Sequence, residues 1–509
     1  MQRLKEIWYK AALYLMGILV AVSAWSSGQL GREGADVTIR LSPLVTQEVV
    51  SGFGTSACWW SHKVEDDAMR TDLVKQLYSK DGLALNIYRY NVGGGVNPEH
   101  NRVGNPWHNA ESFYVFDEET QEWTYDFTRD ANAQKVLFEA LSYGCVDTVV
   151  LFANSPHYTM TVSGEASGGV EDGDPNLDPA FEQAFVDYFL TITEYFLSKG
   201  VPVKYISPIN EPQWGWGGQW VHQEGCHYET EQLLRVLHLF AEGIEARNLP
   251  VLLSVPEAGE ISELTREYFT GIGSDELLLR NTGSFAYHSY WKDAQLWEKA
   301  DFRTWFDEQN FGDKTLDMTE WCELPNKHAT TDPMAAVIMA RVIANDFNFT
   351  RANSWTSWVA VNQRGINNED GLDYSDGLFS ADTDFSSYDV SYRYYALAHF
   401  SKFVPAGSKI MTFVCKPEDY REASWERHVE ADFAAFATPD NRQVLVISNE
   451  GDEKTIRLDA SGLHMAIYTT DAAHQLEQTY NGIRHNEFTV PACSVTTVVI
   501  DNDVRGLFG

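Results

Sequence analysis

The chain has 509 residues, enough for one large and one smaller domain, and 44% of them are hydrophobic, which is ample for a core. Lys and Arg total 38 against 73 Asp and Glu, a formal net charge of −35 that repels phosphate backbones and anionic membranes and so excludes nucleic acid as a partner. Six scattered cysteines supply neither a disulfide framework nor paired metal-ligand spacing, and no metal or other cofactor is expected.

Arg3, Lys5 and Lys10 precede an apolar run over 11–25 and then small polar residues, the layout of a secretory signal peptide over 1–28. The run falls short of the roughly 20 residues of a membrane span. A secreted or extracytoplasmic product without stable membrane insertion is therefore expected, an uncleaved tether being the alternative. From 50 to 395, short apolar strands alternate with helical stretches. The strands are 50–55, 84–90, 148–153, 205–209, 251–255, 284–288, 315–319 and 354–358; the clearest helices are 66–77, 181–197, 230–246 and 333–347. This alternation predicts an α/β fold, a closed (β/α)8 TIM barrel, with its chemistry at the C-terminal strand ends. The residues after the strands are polar or aromatic: Asn91, Asn154, Glu211, Glu257, Tyr290, Glu320 and Asn362. The Gly- and acid-rich stretch 164–178 is expected to be a long surface loop. Beyond it, alternating segments at 410–414, 434–437, 444–447 and 494–500 predict an appended antiparallel β-sandwich over 396–505, joined by 36–49 with its strand-like segment 37–41.

Two glutamates more than a hundred residues apart end strand-like runs, Glu211 in Asn210-Glu211-Pro212 and Glu320 in Thr319-Glu320-Trp321. Either alone reads as a solvated carboxylate. Together they are the equipment of glycosidic cleavage, one carboxyl protonating the departing oxygen and the other stabilising or attacking the sugar carbon. No Gly-x-Ser-x-Gly elbow, His-Glu-x-x-His helix or phosphate-binding Gly-x-x-x-x-Gly-Lys is present. The run Gly93-Gly94-Gly95 does not fit a nucleotide loop and is expected to let backbone approach a sugar. Of sixteen tryptophans, Trp59, Trp60, Trp214, Trp216, Trp220, Trp291, Trp321, Trp355 and Trp358 fall near strand ends, where aromatic faces pack on the C–H faces of sugars. About half of these are expected to serve packing alone. Trp358 is the candidate floor beneath the reactive sugar.

The motifs Gly52-Phe53-Gly54-Thr55-Ser56-Ala57-Cys58-Trp59-Trp60, Ile87-Tyr88-Arg89-Tyr90-Asn91-Val92-Gly93-Gly94-Gly95, Ala153-Asn154-Ser155-Pro156, Asn210-Glu211-Pro212, His288-Ser289-Tyr290-Trp291 and Thr319-Glu320-Trp321 occur in the order of the strand-end motifs of glycoside hydrolase family 30, which the chain resembles from about 37 to 501. The first two look most like its endo-β-1,6-galactanase branch. The resemblance implies a barrel with a β-sandwich and a retaining β-glycosidase acting on a polysaccharide or oligosaccharide, here β-1,6-galactan side chains of arabinogalactan. It makes Glu211 the acid/base, expected to hold its proton near neutral pH, and Glu320 the nucleophile, expected to stay ionised. Asn210 would bind the sugar 2-hydroxyl, with Tyr290 and Arg89 holding the nucleophile. Trp59, Trp60, Asn91, Asn154, His288, Trp321 and Trp358 complete the expected substrate-binding set. The alternatives are a β-1,6-glucanase, xylanase or glucosylceramidase of the same family, or a non-catalytic glycan-binding protein, against which the presence of both glutamates argues.

Overall fold

A computed structural model describes residues 35–219, 221–324, 327–416 and 430–501. The expected signal over 1–28, Trp220 and the end of the expected side domain at 502–505 lie outside the described residues. Eight parallel strands close into a barrel: β1 (Gly52–Ser56), β2 (Ile87–Asn91), β3 (Thr148–Phe152), β4 (Val203–Ser207), β5 (Leu252–Ala258), β6 (Thr282–His288), β7 (Thr315–Glu320) and β8 (Ser354–Ser357), with β8 pairing back onto β1. β1, β2 and β3 are buried along their whole length, as strands covered on both faces must be.

The covering helices owe their register to apolar spacing. In the helix Thr230–Ala246 the buried positions Leu233, Val236, Leu237, Phe240, Ala241 and Ile244 recur every three or four residues and form one stripe facing the strands. Asp66 and Ser262 start two others by accepting the Met69 and Thr265 amide protons. Among the described residues no helix is long and apolar enough to cross a membrane.

The second unit is a separate, mostly antiparallel sheet of nine strands. Val37–Val49 lies within it, antiparallel to Lys409–Lys416 and parallel to Lys454–Asp459, so the chain's early residues stitch its late ones together. The two layers of the expected sandwich are one continuous sheet curled on itself. Alternation sends Phe433, Leu445, Ile447 and Val498 into a core shared with Ile39 and Ile456. The neighbours Phe436, Val444, Val446 and Val499 join the barrel's own core, where Ser448 donates to the Val337 carbonyl of the helix Pro333–Asn345 at 2.7 Å.

Candidate active site

The C-terminal strand ends converge on a cleft of about 830 Å³ lined by Glu211, Glu320, Tyr290, Trp59 and Trp358 among others. Glu320 is the last residue of β7; Glu211 follows β4 in a left-handed backbone turn, φ 44°, its amide donating to the Glu257 carbonyl at 2.9 Å. A carboxylate oxygen of each lies, together with a ring nitrogen of His288, within a 4.8 Å sphere of mutual approach. The Glu211 side chain has room because Gly259 has none: a Cβ there would stand 2.8 Å from Glu211 Oε1.

Arg89 on β2 donates to Glu320 Oε2 at 2.5 Å and to Asn210 Oδ1 at 3.0 Å, with its guanidinium 3.7 Å above the Phe152 ring. Tyr290 donates to the other oxygen of Glu320 at 3.2 Å. His288 lies between two carboxylates, Nδ1 3.0 Å from Glu211 Oε1 and Nε2 3.1 Å from Glu257 Oε2. Only the doubly protonated ring donates to both. Burial by itself would push that ring down; the charge of Glu320 and the bonds to Glu211 and Glu257 overturn it and hold it up to about 9.

Glu257, wholly buried on β5, is a third carboxylate of this site. It accepts from Ser207 at 2.8 Å and from the Thr319 hydroxyl, and it stands 3.7 Å from Arg89. Burial presses its carboxyl upward, but the charges of Arg89 and His288 and these bonds hold it below the ordinary value. Glu320 is pushed the other way: burial raises it, and the charge of Glu211 adds to this, against the pull of His288 and Arg89. Sequence reasoning placed Glu257 at a strand end without a role, since its partners come from β4, β6 and β7.

The aromatic predictions divide. Trp358 and Trp59 meet edge to face with centroids 5.3 Å apart on the cleft wall, and His108 lies along Trp59 at 4.1 Å. Trp60 is fully buried in the hydrophobic core and gives the cleft nothing. Adjacent residues entering a helix point different ways, and Trp60 opens the turn Trp60–Lys63. Trp321 is buried behind the wall, its carbonyl accepting from the Trp358 amide at 2.9 Å, so it supports the floor without lining it.

Asn91 and Asn154 are also buried off the cleft. The Asn91 amide lies 3.5 Å from His62 Nε2 and that of Asn154 lies 3.7 Å from Cys58 Sγ. The triple glycine packs loops and does not face sugar: a Cβ on Gly94 would come within 2.8 Å of Ala166 Cβ and of the Pro156 carbonyl. The stretch 164–178 is a surface loop at its tip, where Val170, Glu171, Asp172 and Asp174 are exposed, and a packed wall at its base, where 165–169, Asn176 and Leu177 are buried. Arg102 grips Glu165 at 2.8 Å and the carbonyls of Gly168, Gly169 and Gly218 at 2.7, 2.9 and 3.1 Å, tying the loop after β3 to the loop after β4. Sequence reasoning also gave no site role to His108, Lys327 and Asp376, which line the cleft from distant loops.

A family model described as O-Glycosyl hydrolase family 30 matches residues 36–288. The chain is 22% identical over 456 residues to an endo-beta-1,6-galactanase of Hypocrea rufa, covering 84% of each protein. It is 27% identical over 246 residues to an exo-beta-1,6-galactobiohydrolase of Bifidobacterium longum subsp. longum, covering 42% of this chain and 15% of that one. The catalytic domain of GH30 xylanase C from Talaromyces cellulolyticus shares the fold with a TM-score of 0.65 at 16% identity, over 91% of this chain and 100% of that one. In sequence and architecture alike, then, the chain belongs to glycoside hydrolase family 30.

Proposed function

We propose that this chain is a retaining β-glycosidase that cleaves β-1,6-linked galactan by double displacement, with Glu320 as nucleophile and Glu211 as acid and base. The carrying observation is the approach of the two carboxyls to within 4.8 Å in one cleft. Retaining enzymes hold their carboxyls about 5 to 5.5 Å apart, whereas inverting ones leave about 6.5 to 9.5 Å for a water molecule.

The contacts assign the roles. The buried cluster holds two cations, Arg89 and His288, and three carboxyls, Glu211, Glu257 and Glu320. Glu257 is taken up by four donors or cations and faces away from the cleft, Glu320 is held on both oxygens by Arg89 and Tyr290 as a nucleophile must be, and Glu211, bonded to His288, is left to meet the leaving oxygen. Glu320 attacks the anomeric carbon as Glu211 gives its proton to the leaving oxygen. With the Glu320 charge consumed in the glycosyl ester, Glu211 takes a proton from water, and the hydroxide equivalent releases the sugar. Arg89 holds the Asn210 oxygen, which turns the amide NH2 toward a sugar 2-hydroxyl.

The galactan assignment is supported by relatives named for β-1,6-galactose linkages and by the Trp59 and Trp358 wall, which suits gripping single rings of a supple 1,6-linked chain. Export is part of the proposal, on the apolar segment after Arg3 and Lys5. Hydrolysis of de-arabinosylated arabinogalactan, β-1,6-glucan, xylan and glucosylceramide by the purified protein tests the substrate, and proton NMR of the first-formed anomer tests retention. Preferred cleavage of glucan or xylan refutes the galactan assignment; an inverted first product refutes the mechanism. Sequencing the mature N-terminus tests removal of the leader.

A further inference from the structure

The barrel closes in the order β1 through β8, so a line from Glu211, after β4, to Glu320, on β7, leaves β5 and β6 on one side and β8, β1, β2 and β3 on the other. The second side carries Arg89, Trp59 and Trp358, and Arg89 draws the Asn210 oxygen toward it. On the double-displacement reading above, this is the side that receives the sugar under attack.

The first side carries two indoles of the cleft, that of Trp214, which packs over Gly259 after β5, and the more exposed one of Trp291. Trp291 lines the cleft, is 51% exposed, and among the described residues no aromatic ring stacks on it. Its backbone is left-handed, φ 61°, a costly conformation for a bulky residue. The Lys292 amide donates back to the Tyr290 carbonyl at 2.7 Å, closing a three-residue turn with Trp291 at its centre, and Lys292 Nζ is tied to Glu298 at 2.7 Å. The turn begins at the residue that holds the nucleophile, so the backbone that carries the indole is fixed relative to Glu320. An exposed indole on a constrained turn beside an acid/base is a platform for a ring.

We infer that Trp291 is the platform of the aglycone subsite, stacking the pyranose ring that leaves from the scissile bond; this rests on the retaining-glycosidase reading above. The same ring would seat an acceptor sugar as its hydroxyl takes the glycosyl group from Glu320, with Glu211 accepting the hydroxyl proton.

The test compares Trp291→Ala and Trp291→Phe with wild type on two substrates. One is β-1,6-galactan; the other is β-galactobiosyl fluoride, whose leaving group is a single atom that needs no platform. Loss of the stack is expected to lower kcat/KM on the polymer roughly tenfold or more, to leave the fluoride within about twofold, and to cut transfer to added galactobiose relative to hydrolysis. Trp291→Phe, which keeps a smaller face, should recover most of the polymer rate and shows that the turn still forms. An equal fall on both substrates, or no fall on either, overturns the inference. Wild-type protein inert on both substrates refutes the hydrolase reading and, with it, the subsite.

Discussion

Replacing Glu257 with Gln removes one negative charge from a buried cluster that holds two cations and three carboxyls. The amide keeps its oxygen for Thr319 and His288 and turns its NH2 to Ser207, whose hydroxyl can rotate to accept, so the change is electrostatic before it is steric. At 3.1 Å from His288, and at an effective dielectric near 20, that charge interacts with the ring by about 5 kcal/mol before compensation. The net scale is smaller. The rise of His288 to about 9 corresponds to about 3 kcal/mol of preference for the charged ring, and three carboxylates contribute to it. Losing one should lower the ring on the order of 1 to 2 pH units. With Glu257 gone the His288 proton leaves more readily, and with it the donor that orients Glu211 for the first step. The basic limb of kcat/KM against pH should therefore move down by about one unit, with activity at pH 9 falling roughly fivefold and that at pH 6 little changed. The assay is hydrolysis over pH 4 to 10, with thermal unfolding as a folding control. A basic limb that superimposes on wild type while activity falls would refute the coupling of Glu257 to His288.

The barrel was legible because its signals are local. The apolar runs at 148–153 and 315–319 became β3 and β7 within a residue at either end, and the periodicity over 230–246 became Thr230–Ala246. The two glutamates were legible because each ends such a run. What escaped was set by contacts between elements. Trp59 and Trp60 are indistinguishable in sequence, yet one reaches the cleft and the other the core. Asn91 and Asn154 follow strands as site residues should, but the loops gripped by Arg102 wall that corner off from the cleft. Glu257 becomes part of the site only when β6 brings His288 between it and Glu211, a relation that no local pattern encodes.

Glu211→Ala should slow both steps yet allow rescue by azide on an activated substrate, whereas Glu320→Ala should yield no covalent glycosyl-enzyme by mass spectrometry; a glycosyl group trapped elsewhere would refute the assignment. Trp60→Phe should cost on the order of 1 to 2 kcal/mol of stability with kcat/KM nearly unchanged, and Trp358→Ala should lower kcat/KM more than tenfold, the opposite pattern marking Trp60 as a cleft residue. The last expectation concerns alkaline stability. His288 sits near 6.5 when unfolded and about 9 when folded, so its proton favours the native state. That contribution is complete below pH 6.5 and is lost as pH rises through about 9, by up to about 3 kcal/mol. Urea midpoints at pH 6 and pH 9.5 should therefore fall farther in wild type than in His288→Gln, which carries no such proton. Equal declines in the two proteins would place the alkaline sensitivity in some other group and remove His288⁺ from the resting site.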